Sequence, residues 1–181
     1  MASPFRNATT LLQQYAEYHR DRRNILTHFV GVPLIVFAVG VLLSKPAFVV
    51  AGLALTPAWV AFALAALWYL TRGRLGIGLA TTLGMGLLML LAHRVGDGSV
   101  ASWLSWGVGC FVVGWIIQFL GHYYEGRKPA FADDLVGLLV GPMFVVLELL
   151  APLGLFKGLM AEIERHAGPT VIRDLAHPVT R

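Results

Sequence analysis

Four stretches of this chain stay apolar for about as long as a helix needs to cross a bilayer. That length constrains the fold class more than any motif. About 20 helical residues span ~30 Å of hydrocarbon, and the runs cover residues 25–43, 47–70, 75–92 and 100–120. The links between them, 44–46, 71–74 and 93–99, are short. Short links make successive helices antiparallel neighbours. Only 13% of the residues are charged, against about 25% in a soluble domain. The expected fold is therefore all-α: a polytopic membrane helical bundle forming one domain over residues 1–181.

A fifth apolar run, 135–155, contains Gly141-Pro142, Glu148 and Pro152. It is expected to re-enter the membrane or to pack at its periphery. Charge counting supports this. With four crossings and a fifth run that does not cross, twelve of the 14 Lys and Arg residues fall on one side, and only Lys45 and Arg94 on the other. If the fifth run crosses, the split is eight against six. The cytoplasmic side carries the excess of basic residues, so both termini are expected there, in a bacterial inner membrane or the endoplasmic reticulum.

Residues 7–23 read as a partly amphipathic helix, with Leu11, Leu12, Tyr15 and Tyr18/His19 near one stripe. It is expected to lie in the membrane interface, as part of an interfacial segment 1–24, with Asn24 as N-cap of the first span. The bundle then covers 25–160 and a polar tail 161–181. The first 24 residues are polar, and no secretory signal is expected. The single cysteine, Cys110, excludes an internal disulfide and a cysteine-based zinc site. The scattered basic residues argue against nucleic acid. Gly76, Gly78, Gly84 and Gly86 in the third run suit close helix packing.

The chemistry-bearing residues form two clusters. One is Tyr15-Ala16-Glu17-Tyr18-His19 through His28, and the other is His122 with Glu125 in Gly121-His122-Tyr123-Tyr124-Glu125-Gly126-Arg127-Lys128. Four crossings return the chain to its starting side, so both clusters face the same membrane surface. His19 and His28 are nine apart, half a turn out of phase on one continuous helix. They share a site only if the helix breaks between them, and Asp21 to Asn24 is the expected place. Three imidazoles and a carboxylate suit iron or zinc. Glu17, Asn24, Gln118 and Glu125 are candidate acceptors for the remaining ring nitrogens. Arg127 and Lys128 stand beside the site, where they suit an anionic head group.

Simpler readings exist for several of these residues. Tyr15, Tyr18, Tyr123 and Tyr124 fit interfacial aromatics, although Tyr18 beside His19 is retained as a catalytic candidate. The Arg22/Arg23 and Arg127/Lys128 pairs fit topology anchors. His93 falls on the opposite side, and His166 and His177 lie in the polar tail. Glu148, a carboxylate inside an apolar run, is either functional or a partner of a helix end or an arginine.

Tyr15, His19, Asn24, His28, Gly31 and Pro33 together resemble the opening motif of a family of small membrane proteins whose fungal members are 2-hydroxy fatty acid dioxygenases of phytosphingosine breakdown. Gly121, His122, Glu125, Gly126, Arg127, Pro129 and Ala130 resemble its second motif. Gly141-Pro142-Met143-Phe144 with Glu148 resembles a third. The resemblance implies an iron(II)-dependent α-oxidation in which a 2-hydroxy fatty acid and dioxygen give CO2 and the fatty acid one carbon shorter. It implies His19, His28 and His122 as ligands of Fe2+, with Glu125 as a fourth ligand or base. Tyr18 and Glu148 complete the catalytic candidates, and Asn24, Arg127 and Lys128 are the candidates for substrate binding. The expected partners are the fatty acid or lipid, dioxygen and membrane lipids, with self-association left open.

Two other classes compete with this reading. One is a proton-coupled transporter or lipid-binding protein in which Glu148 and Glu125 titrate. The other is a structural membrane protein whose polar residues cap helices. The chain has no His-x-x-His-His run, which weighs against a dinuclear lipid hydroxylase. The topology has a direct test: a reporter fused after Arg181 is expected to read as cytoplasmic, and an external signal overturns the four-crossing arrangement.

Overall fold

The computed structural model describes residues 4–126 and 136–175. Its elements are α1 (Ala8–Ala16), α2 (Arg22–Leu42), a hairpin of β1 (Phe48–Val50) and β2 (Leu53–Leu55), α3 (Pro57–Leu70), α4 (Leu75–Gly96), α5 (Val100–Glu125), α6 (Val136–Leu150) and α7 (Lys157–Ala167). A short 3-10 turn, Ala151–Leu153, follows α6. This is the expected all-α bundle. Four stretches are long and apolar enough to cross a membrane: Arg22–Leu42, Leu75–Gly96, Val100–Glu125 and Val136–Leu153.

The second apolar run differs from expectation. Its first third is a β-hairpin, and its helix has only 14 residues, or ~21 Å of rise. Phe48 pairs with Leu55 and Val50 with Leu53, across a turn in which Ala51 and Gly52 both have positive φ. Two left-handed residues in a row make the turn that matches strand twist. Thr56 then caps α3, its side chain accepting from the Trp59 N–H, and Pro57 occupies the first helical turn. The short helix still carries the chain from one end of the bundle to the other. Ala58 N–H bonds the Leu43 carbonyl at its start, and Ala8 N–H bonds the Arg72 carbonyl beyond its end.

α2 and α5 form the most extensive helix pair, and small residues let them close. A β carbon on Gly114 would lie 2.7 Å from Ile35 Cγ1 and 3.1 Å from the Gly31 carbonyl oxygen. One on Gly121 would collide with Thr27 and with Asn24 Oδ1. The seam runs the length of both helices, so the last turn of α5 comes to rest against the first turn of α2.

The described chain before and after the fifth apolar run lies at the same end of the bundle. Glu125 closes α5 beside Asp21, while α7 packs on α1 and His166 pairs with Glu17. α6 is buried along Val140–Val145 and at Leu147. The stripe of α1 packs into the same cluster: Leu11, Leu12 and Tyr15 join Met143, Phe144, Leu147, Leu159 and Ile163. The apolar face of α1 is thus covered by α6 and α7.

The helix break falls earlier than the sequence reading places it. α1 ends at Ala16, and Asp21, not Asn24, caps α2 through its side chain and the Arg23 N–H. Both residue types cap well, and the choice is made by Glu125. Its buried carboxylate accepts from the backbone N–H of Arg20 at 3.2 Å and of Asp21 at 2.8 Å, and from Asn24 Nδ2 at 3.0 Å. Arg173 adds an ion pair from the tail, with its Nε 2.9 Å away. Arg173 N–H also bonds Asp21, and Val171 pairs with the backbone of Arg20 and Arg22. Burial alone would raise the Asp21 pKa. The hydrogen bonds from Arg23 and from the Arg173 backbone outweigh it and hold the carboxyl below its usual range.

Three outcomes follow for stability in detergent. Gly114→Ala is expected to cost about 1–3 kcal/mol by overpacking the seam. Gly109→Ala, where a β carbon meets nothing within 4 Å, is expected to leave the melting temperature unchanged. Glu125→Ala strands two backbone donors and Arg173, and is expected to cost about 3–5 kcal/mol. A melting temperature like wild type would refute the clamp.

Candidate metal centre

The break after α1 folds His19 back over His28, and the α2–α5 seam brings His122 to both. One ligand nitrogen from each imidazole can be chosen so that all three lie within 4.8 Å of one another, a grouping that could hold a metal ion. All three residues are buried, His19 completely. The ring planes cross at 80° for His19 and His28, 73° for His19 and His122, and 80° for His28 and His122. The three rings thus meet edge to face and do not stack on one another.

Backbone carbonyls select the tautomers. His19 Nδ1 lies 2.6 Å from the Tyr15 carbonyl, and His28 Nδ1 lies 2.8 Å from the Asn24 carbonyl. A carbonyl only accepts, so both Nδ1 atoms carry a proton, and in the neutral ring each Nε2 keeps its lone pair. Burial, reinforced by His28 and His122, holds the His19 pKa well below the usual histidine range. A neutral imidazole is the form that binds metal. His19 Nε2 is buried with no hydrogen-bond partner among the described residues. A buried ring nitrogen left in that state is what a metal would satisfy, and the donor set fits iron or zinc.

The other expected site residues divide. Glu125 is spent on the α1–α2 turn and is not one of the clustered ligands. The Asn24 side chain donates to Glu125 and to the Tyr18 carbonyl, and its own carbonyl orients His28. Tyr18 is half-buried, with its carbonyl in the same network. Glu148 accepts from Arg20 at 3.2 Å, the arginine-partner alternative for this residue. Arg127 and Lys128 lie outside the described residues. His93 sits at the opposite end, hydrogen-bonded to Thr56 and stacked on Trp59.

Three residues carry more of the site than the sequence reading gives them. Tyr15 stacks on His19, with ring centroids 4.0 Å apart and planes 5° from parallel. Their i, i+4 spacing is the signal for that contact. Phe144, from the Gly-Pro-Met-Phe segment, packs on both Tyr15 and His19. Buried Arg20 ties the turn together, donating to the His19 carbonyl, the Gly168 carbonyl and Glu148. Phe144 belongs to the third motif, and no local pattern in the sequence marks Arg20.

A cavity of about 300 Å³ lies beside His28 and His122. His28, His122 and Tyr15 line one part of it, and Val32, Ile35, Val36, Val39, Phe111 and Trp115 line much of the rest. From His28 to Val39 the α2 wall rises ~16 Å. The site therefore joins two of the three clustered imidazoles to an elongated apolar wall.

Comparison with known proteins agrees with the motif resemblance. No solved structure matches the chain. The 2-hydroxy-palmitic acid dioxygenase MPO1 of Saccharomyces cerevisiae is 33% identical over 153 residues, which cover 83% of each chain. A family model described as 2-hydroxy-palmitic acid dioxygenase Mpo1-like matches residues 5–153, a span that holds all three histidines, the α1–α2 turn and the cavity. The chain belongs to the Mpo1-like 2-hydroxy-palmitic acid dioxygenase family.

Proposed function

We propose that this protein is a membrane dioxygenase that performs α-oxidation of 2-hydroxy fatty acids, with iron(II) held by His19, His28 and His122. The observation that carries the reading is three clustered, buried imidazoles, two of which, His28 and His122, line an apolar cavity, in a chain of this family. The reaction balances as one 2-hydroxy acid and one dioxygen giving the acid one carbon shorter, CO2 and water. When bound, iron(II) supplies the redox chemistry with dioxygen that no side chain provides.

The chain's own residues bind, orient and exclude water. The Tyr15 and Asn24 carbonyls fix two of the imidazoles with their lone pairs inward. Tyr15 and Phe144 wall one side of His19 and keep water from it. The apolar faces of α2 and α5 take the acyl chain. Arg127 and Lys128, next in sequence after the last turn of α5, are proposed to meet the carboxylate as it enters from the cytoplasmic surface. Glu125, Glu148 and Tyr18 are proposed to act by holding the His19 turn in place.

The test is metal content and oxygen uptake together. Purified protein is expected to carry about one iron per chain and to consume oxygen with 2-hydroxypalmitate. His122→Ala and His28→Ala are expected to lose both. Zinc in place of iron, or turnover that survives either substitution, would overturn the reading.

A further inference from the structure

Apart from Tyr15, the two histidines and the indole of Trp115, Gln118 is the only side chain with a polar group lining the cavity among the described residues. It precedes His122 by one turn of α5, ~6 Å along the axis. Its amide packs against Gly31, one turn beyond His28 on α2: a β carbon there would lie 2.7 Å from Gln118 Nε2. Gln118 is 5% exposed, and its Nε2 has no hydrogen-bond partner among the described residues. A buried amide left in that state destabilises the fold. Methionine would line the same wall at similar length without that cost. The amide is offset only when something that enters the cavity bonds it.

We propose that Gln118 is a substrate-binding residue that recognises the 2-hydroxyl of the acyl chain, and so selects hydroxylated over plain fatty acids. This rests on the cavity being the acyl site proposed above. Position and chemistry both favour a hydroxyl. Gln118 lies one turn past the imidazoles toward the apolar end, beside the first carbons of a chain whose head is at the histidines. An amide donates and accepts, as a hydroxyl does, whereas a carboxylate only accepts. No cation lines the cavity among the described residues, so this wall is not built to neutralise an acid. A site built to bond a hydroxyl rejects the analogue that lacks it far more strongly than an apolar pocket can.

The experiment measures binding of 2-hydroxypalmitate and of palmitate to the full-length, metal-loaded protein in lipid nanodiscs, with dioxygen excluded. Wild type is expected to prefer 2-hydroxypalmitate. Gln118→Met is expected to reduce that preference roughly tenfold or more, while palmitate affinity holds or improves and metal content stays at the wild-type level. Gln118→Asn keeps the amide one carbon short and is expected to fall between the two. It carries the test if the methionine variant does not fold. An unchanged preference in either folded variant overturns the proposal. Oxygen uptake in air separates the two inferences. Wild-type turnover with a preference indifferent to Gln118 sinks only this one. A preference lost in the variant, without wild-type turnover of any 2-hydroxy acid, sinks only the dioxygenase reading.

Discussion

The Glu125 carboxylate is the contact on which the site depends. A negative charge on the last residue of a helix opposes that helix's own dipole, which favours cations there. Glu125 is tolerated because the start of α2 sits directly against it. The backbone N–H groups of Arg20 and Asp21 point at its two oxygens, and a helix N-terminus is a natural anion site. Asn24 and Arg173 complete the shell. One side chain thereby joins the end of α5 to the beginning of α2. It also fixes the turn that places His19 over His28. The tail residue Arg173 belongs to this clamp, so the end of α5, the start of α2 and the segment after α7 form one unit.

The seam between α2 and α5 sets the third coordinate. Gly31, Gly114 and Gly121 let the helices approach until backbone meets side chain, the packing mode that small residues permit in membranes. His28 and His122 each lie within two turns of the clamp, on facing helices, so their separation is inherited from the helix spacing. His19 arrives from outside the seam and is held by its own local bond to Tyr15 and by the ring stack. Two ligands are therefore placed by tertiary packing and one by a turn.

Much of this was legible in the sequence, and the limits have physical causes. Counting apolar runs places His19, His28 and His122 on one side, and helical phase requires a break between the first two. The position of the break depends on which of Asp21 and Asn24 caps α2. Both are good caps, and the deciding partner, Glu125, is over 100 residues away. The hairpin at Phe48–Leu55 hides in an apolar run because hydropathy does not distinguish a buried helix from a strand. Its markers were Gly52 at the turn and Thr56-Pro57 at the helix start. Tyr15 reads as an interfacial aromatic until its ring is seen parallel to His19. Arg173 comes from a polar tail whose pattern says nothing about docking.

The charge balance of the site bears on its substrate. Glu125 and Glu148 are each engaged by an arginine, so neither carboxylate is free to offset a metal. Three neutral imidazoles leave the two positive charges of a divalent ion uncompensated, unlike the two-histidine, one-carboxylate arrangement common in non-haem iron oxygenases. A buried, unpaired charge is expensive, and the apolar walls of the cavity raise that expense. Under the proposed function the missing negative charge comes with the substrate, because a fatty acid brings its own carboxylate. The same balance disfavours an uncharged ester or amide at this mouth. The preference for a free acid would then follow from the fold committing both nearby carboxylates to holding the turn.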